Sequence, residues 1–202
     1  MMTTMVGILG AGGIGQAVAL RLIEAGIGTL ISNRRGPHSL LEVVAALGPR
    51  ATAVSVEQAA EMEIVILAVP WSNVASALSP ILDWEGRILI DATNPIVGPG
   101  DEDTELGRKT SSEIVAQLAP GAQLVKAFNT LPPPLLAAEP RCKGGRRVIF
   151  FSGDHVRAKG EVARLIERLG FAGIDLGSLA TGGRLQQVPG GPLAALDLIR
   201  LD

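Results

Sequence analysis

The sequence predicts an α/β fold: a doubly wound parallel sheet with a small closing part at its C-terminal end. Three observations carry this. Short apolar runs alternate with helical patterns from Val6 through Asp91. The first run, Val6–Leu9, leads into Gly10-Ala11-Gly12-Gly13-Ile14-Gly15 and then a helix. A later run, Ile64–Val69, is apolar throughout, as a strand covered on both faces must be.

The segment from Val6 to Arg35 holds the first strand, a helix and a second strand. The helix has apolar residues at Ile14, Ala17, Val18, Leu22 and Ala25 and stops at Gly26, and the strand covers Thr29–Ile31. The glycines fit G-x-G-x-x-G in the βαβ context that gives the motif its meaning. Gly10 permits the tight turn, Gly12 lets a pyrophosphate approach the backbone, and Gly15 lets the helix pack close to the sheet. Free N–H groups and the positive end of the helix dipole then face the phosphates. This is a Rossmann-type dinucleotide site. The second strand ends in Ser32-Asn33-Arg34-Arg35, with no carboxylate to hold a ribose 2′-hydroxyl. Two guanidiniums and two small polar side chains suit a 2′-phosphate, so the sequence points to NADP(H) over NAD(H).

The chain then turns at Gly36-Pro37. Ser39 with Glu42 fits a capping box for a helix over Leu40–Leu47, ended by Gly48-Pro49. A third strand is expected at Ala51–Val54, and Ser55 with Gln58 caps a short helix to about Met62. The run Ile64–Val69 ends at Pro70-Trp71 and is followed by helix over Ser72–Leu82. Arg87–Asp91 is a strand leading into Ala92-Thr93-Asn94-Pro95. Right-handed crossovers put these strand ends on one edge, so segments 10–15, 33–35, 69–71 and 94–95 should surround one cleft.

Ile96–Lys109 is long and carries an acidic cluster, Asp101-Glu102-Asp103. It is either a lid over the cleft or a solvated loop. Thr110 with Glu113 caps a helix to Leu118, and Leu124–Phe128 is a strand ending in Asn129-Thr130. Leu131-Pro132-Pro133-Pro134 is a stiff turn that a sheet interior excludes. Next come a strand at Val148–Phe151 and a helix capped by Asp154, with core positions Val162, Leu165, Ile166 and Leu169 and a stop at Gly170. A short strand at Phe171–Leu176, a Gly- and Pro-rich stretch at Thr181–Pro192 and a terminal helix over Leu193–Leu201 complete the series. The change of composition near Pro132 divides a nucleotide domain, 1–131, from a smaller part, 132–202, that completes the acceptor site.

Composition narrows the function. Hydrophobic residues make up 47 % of the 202 residues, enough for a sizeable core. With only 19 % charged residues, burial of surface in a homodimer is expected. The net charge of −2 argues against a nucleic-acid partner, which needs a basic face. A single cysteine, Cys142, excludes an internal disulfide and a cysteine-based zinc site, and His38 and His155 lie far apart. No signal-peptide pattern and no run of about 18 apolar residues occurs, so a cytoplasmic protein without membrane spans is expected. The absence of tyrosine rules out the Tyr-x-x-x-Lys acid of short-chain dehydrogenases. Too little chain follows residue 130 for the long helical second domain of hydroxyacid dehydrogenases and imine reductases.

The ordered series GILGAGGIG, SNRR, AVPW, DATNP, KAFNT, SGD before a helix, GGRLQ and GGPLA resembles the NADPH-dependent coenzyme F420 reductase family, from Val6 to about Ile199. The resemblance implies NADP(H) on the glycine turn, with the deazaflavin ring of F420 stacked on the nicotinamide from the C-terminal part. Carried over by position, it implies that Ala11, Gly12, Gly13 and Ile14 hold the pyrophosphate. Asn33, where a serine is frequent, would hold the 2′-phosphate with Arg34 and Arg35. Val69, Pro70 and Trp71 would lie along the nicotinamide, and Ala127-Phe128-Asn129-Thr130 would face the reacting rings, with Asn129 where some members have His. Asn94, beside Pro95, and Asn129 are the polar candidates for orienting a substrate, or else strand-end caps.

Hydride passes directly between carbons held about 3–3.5 Å apart, so no catalytic acid or base is assigned. The family also resembles the nucleotide domain of membrane ferric reductases. Three readings follow: hydride transfer between NADP(H) and F420; NADPH-dependent reduction of a flavin, ferric ion or other small acceptor; and a dinucleotide-binding sensor without turnover. Either enzyme needs a ring-sized apolar cleft near Pro95, Phe128 and the Thr181–Pro192 loop.

Overall fold

Strand β1, Met5–Leu9, lies inside the sheet, parallel to β2, Gly28–Ser32, on one side and to β4, Ile64–Leu67, on the other. The structure, a computed structural model, describes residues 5–96, 109–142 and 144–201. Outward from β2 lies β3, Ala51–Ala53; outward from β4 lie β5, Ile88–Asp91, and β6, Gln123–Ala127, all parallel. Side chains alternate between the two faces along these strands, and both faces are apolar. Val6, Ile8, Ile64, Ile66, Ile88, Ile90, Val125 and Ala127 join one core; Leu9, Val65, Leu67, Leu89 and Leu124 join the other. Helices cover both. On the first face pack α1, Gly13–Glu24, α6, Pro133–Ala137, and α7, Val156–Arg168. On the second pack α3, Val56–Ala60, α4, Val74–Leu78, and α5, Ser111–Leu118. Burying a leucine or isoleucine in either layer contributes about 1.5–3 kcal/mol. This is a Rossmann-type, doubly wound α/β fold.

Beyond β6 the direction changes. β8, Gly145–Gly153, runs antiparallel to β6, so the chain on both sides of residue 131 shares one sheet. The linking helix α6 packs on α1 instead of crossing the sheet, and without a crossover the strand returns antiparallel. β7, Arg141–Cys142, and β9, Ala172–Asp175, also pair with β8.

Several expectations change. Ser39 and Glu42 form no capping box: residues Pro37–Leu40 make a 3-10 turn, and α2, Leu41–Leu47, follows it without a side-chain cap. The Ser39 hydroxyl is bonded within the turn instead, donating to the Gly36 carbonyl at 2.8 Å. Asp154 does not cap α7, because its Oδ1 accepts from the Leu179 N–H at 3.0 Å. The expected helix over Ser72–Leu82 is only a 3-10 turn, Trp71–Asn73, and the short α4, cut off before Pro80. The stiff Leu131–Pro134 turn starts a helix, since prolines suit a first helical turn. Residues 193–201 form no helix. Ala195 sits at φ +58°, and Ile199–Leu201 is strand β10, antiparallel to β8. Within Thr181–Pro192 lies a short helix, α8, Gly182–Gln186. Of the expected lid, residues 97–108 lie outside the described residues.

Candidate functional site

The glycine turn is pinned from both sides. Gly10 takes φ +112°, which side chains rarely adopt. Its N–H donates to the Ser32 carbonyl at 2.9 Å, and the Ser32 hydroxyl donates to the Ile8 carbonyl at 3.0 Å. The Ala68 N–H donates to the Leu9 carbonyl at 2.8 Å. Helix α1 starts hard against this turn: a Cβ on Gly15 would strike the Gly10 carbonyl oxygen. Gly12 differs, since a Cβ there would meet nothing within 4 Å. It is the N-cap of α1, no side chain caps the helix, and no acidic residue lies in its first turn. The orphan N–H groups and the positive dipole end are therefore free to receive an anion. Pro133, first residue of α6, closes the other side of the turn, 2.9 Å from where a Gly13 Cβ would stand.

At the end of β2 the Asn33 side chain organises the loop. Its Oδ1 accepts from the Arg35 N–H at 2.9 Å, an Asx turn, and its Nδ2 donates to the Ser39 hydroxyl at 2.9 Å. Arg34 and Arg35 are exposed on this loop.

These two features border one cavity of about 760 Å³, within the usual range for small-molecule sites. Gly10, Ala11, Gly12, Asn33, Arg34, Arg35, Val69 and Pro70 line it, as the topology implied. So do residues the sequence reading left out: Leu40, Val43, Ser55, Val56, Glu57, Asn73, Ser76, Ala77 and Pro80. The signal for Ser55–Glu57 was available, because β3 also ends on this edge. Ser55 caps α3 through a full capping box with Gln58. Glu57 is held below the ordinary glutamate value, first by its own backbone N–H and second by the Ser55 hydroxyl.

The remaining candidates lie elsewhere. Gly13, Ile14 and Gly15 belong to the first turn of α1 and do not line the cavity. Trp71 is half-buried against the second core. Ala127 and Phe128 are 0 % and 1 % exposed, with side chains in the first core, and Pro95 is buried. Near Pro95, Phe128 and α8, where a ring-sized cleft was expected, Asn129 is hydrogen-bonded to both Asn94 and Gln186. Asn94 and Asn129 thus serve local backbone and one another.

A buried ion pair went unrecognised in the sequence. Lys126 and Asp91 are both fully buried, with Nζ 3.2 Å from Oδ2. Lys126 also donates to the Thr93 carbonyl at 3.0 Å. Asp91 accepts from the Thr93 N–H at 2.9 Å, the Thr93 hydroxyl at 2.7 Å and the Ser112 hydroxyl at 2.5 Å. The pair ties β5, β6 and α5 together beneath the carboxyl edge. Among the described residues, no helix is long and apolar enough to cross a membrane.

Residues 5–95 match the family described as NADP oxidoreductase, coenzyme F420-dependent. The crystal structure of the hypothetical protein SMa0349 from Sinorhizobium meliloti is 47 % identical, with TM-score 0.91, covering 98 % of this chain and 96 % of that one. A candidate F420-dependent NADP-reductase from an Arthrobacter species is 25 % identical, with TM-score 0.78, covering 98 % of this chain and all of that one. Metalloreductase STEAP3 of Rattus norvegicus is 30 % identical over 186 residues, 91 % of this chain but 36 % of the relative. The chain spans about a third of the length of the curated relatives it matches. The glycine turn, the arginine loop and the cavity between them all fall within residues 5–95, the segment similar to the coenzyme F420-dependent NADP oxidoreductase family.

Proposed function

We propose that this protein transfers hydride between NADP(H) and coenzyme F420, a deazaflavin. The observation that carries the dinucleotide part is the uncapped start of α1 at Gly12, open to a cavity that Arg34 and Arg35 also line. In this reading the backbone of Gly10 to Gly15 holds the pyrophosphate, with Ala11, Gly12, Gly13 and Ile14 nearest. Arg34 and Arg35 hold the 2′-phosphate, positioned by the Asn33 turn. Val69, Pro70 and Trp71 flank the nicotinamide. Asn94, Pro95 and Ala127 to Asn129 form the far wall, offering backbone where their side chains are buried. Bound NADPH would supply the hydride and solvent would supply the proton to the acceptor's ring nitrogen; in the reverse direction that proton would return to solvent. The protein's task is alignment and exclusion of water.

The family description and the Arthrobacter relative support F420 as acceptor. A flavin or ferric acceptor is the second reading, supported by the metalloreductase relatives. A homodimer in the cytoplasm is part of the proposal. The test is NADPH oxidation, followed by absorbance, with F420, FMN, a ferric chelate or no acceptor. Saturable loss of the F420 band is the expected result. Turnover with FMN or ferric chelate alone would move the protein to the second reading, and tight NADPH binding without turnover would make it a sensor.

A further inference from the structure

Of the residues lining the cavity beside the glycine turn, three are charged: Arg34, Arg35 and Glu57. The two arginines suit an anionic ligand. Glu57 does not, because a carboxylate repels a dinucleotide that bears a pyrophosphate and a 2′-phosphate. An acid in such a cavity is an asset only where the ligand offers it a hydrogen-bond donor.

The order of the strands shows where that donor lies. The carboxyl ends of β1, β2 and β3 stand side by side, with β3 outermost. Gly10 and Gly12 follow β1, where the pyrophosphate is read to bind, and Arg34 and Arg35 follow β2, where the 2′-phosphate is read to bind. The adenine is attached to the same ribose as the 2′-phosphate, so a ligand laid from β1 to β2 continues outward and its base reaches the end of β3. There the cavity narrows to apolar walls and one polar group. Leu40 and Val43, packed on the first core, come from the turn and helix after Arg35; Val56, packed on the second core, opens α3. Glu57 is the next residue. Its carboxyl is held below the ordinary glutamate value, first by its own backbone N–H and second by the Ser55 hydroxyl. Ionised, it can only accept hydrogen bonds. Among the described residues no cation is paired with it.

We infer that Glu57 selects the base of the dinucleotide, its carboxylate accepting from the exocyclic 6-amino group of adenine while Leu40, Val43 and Val56 enclose the ring. The inference rests on the dinucleotide part of the reading above and adds a base preference to it. A purine with a carbonyl at position 6 would set an acceptor against the carboxylate and leave both unpaired.

The test titrates three reduced dinucleotides by fluorescence: NADPH, its deaminated analogue with hypoxanthine in place of adenine, and NADH. Each is added to wild type, Glu57→Gln and Glu57→Ala. Glu57 is exposed, and the Ser55–Gln58 capping box does not use its side chain, so the variants should keep the wild-type melting temperature. Wild type is expected to prefer NADPH over the hypoxanthine analogue by about tenfold, a modest factor because the carboxylate is solvated. A glutamine amide can turn its N–H to a carbonyl, so Glu57→Gln should bring that ratio within about twofold, chiefly by tightening the analogue. Glu57→Ala should do the same by weakening NADPH. In both variants the NADPH-to-NADH ratio should stay within about twofold of wild type, because Arg34 and Arg35 hold the 2′-phosphate. Equal affinity of wild type for the adenine and hypoxanthine dinucleotides overturns the inference. So does a base preference that survives in Glu57→Ala. A raised NADPH-to-NADH ratio with unchanged base preference assigns Glu57 to the field around the 2′-phosphate and overturns it as well. Wild-type protein that binds none of the three overturns the dinucleotide reading itself, and this inference with it.

Discussion

Replacing Lys126 with methionine tests the buried ion pair. The substitution keeps the length of the side chain and removes its charge, leaving the fully buried Asp91 without its cation. Breaking such a pair from one side costs about 3–5 kcal/mol. Here three other donors remain on Asp91, from Thr93 N–H, Thr93 Oγ1 and Ser112 Oγ, which argues for the low end. The Thr93 carbonyl also loses a donor, adding about 1 kcal/mol. The sum is about 3–4 kcal/mol. With a urea m-value of about 2–3 kcal/mol/M, the unfolding midpoint should fall by more than about 1 M. Adding Asp91→Asn to Lys126→Met removes the uncompensated charge and should restore about 1–2 kcal/mol of that loss. A single-variant loss below about 1 kcal/mol, or strictly additive effects in the double variant, would refute the claim that the two charges sustain each other.

Arg34→Ala and Arg35→Ala should each weaken NADPH about 10- to 100-fold, from about 1.5–3 kcal/mol per charged hydrogen bond, and leave NADH nearly unchanged; equal losses for both dinucleotides in a fluorescence titration would exclude a 2′-phosphate role. Gly12→Ala should preserve the melting temperature and weaken NADPH, because its Cβ enters open space. Gly15→Ala should lower the melting temperature even without ligand, because its Cβ strikes Gly10. Glu57 should titrate below an ordinary glutamate by NMR, and Ser55→Ala should move it upward. A depressed carboxyl favours folding above the unfolded pKa, and that contribution fades as pH falls through the folded value. It is small at this exposed position.

The sequence showed most where one local pattern decides the outcome. Strand, glycine turn and helix from Met5 to Glu24 are signalled by one contiguous stretch of sequence, and the boxes Ser55/Gln58 and Thr110/Glu113 close within four residues. Ser39/Glu42 matched the same pattern and failed because the Ser39 hydroxyl had nearer partners in Asn33 and Gly36. Leu193 to Leu201 carries helix-like apolar spacing, but the free flank of β8 captured its end as a strand. The Asp91–Lys126 pair and the hydrogen bonds of Asn94 were invisible for a different reason: their partners are 35 to 94 residues apart and meet only once the sheet is assembled.

Because β1 is flanked by strands on both edges and by helices on both faces, its amides can meet solvent only when the whole sheet comes apart. Ile8 and Leu9 should therefore mark the slowest hydrogen exchange in the molecule, set by global unfolding. A residue or two onward, at Ala11 and Gly12, the backbone borders the cavity and should exchange through small local openings. The boundary between the most protected amides and those a ligand would protect thus falls within a single turn of chain. Any slowing of exchange on adding NADPH should begin abruptly after Gly10.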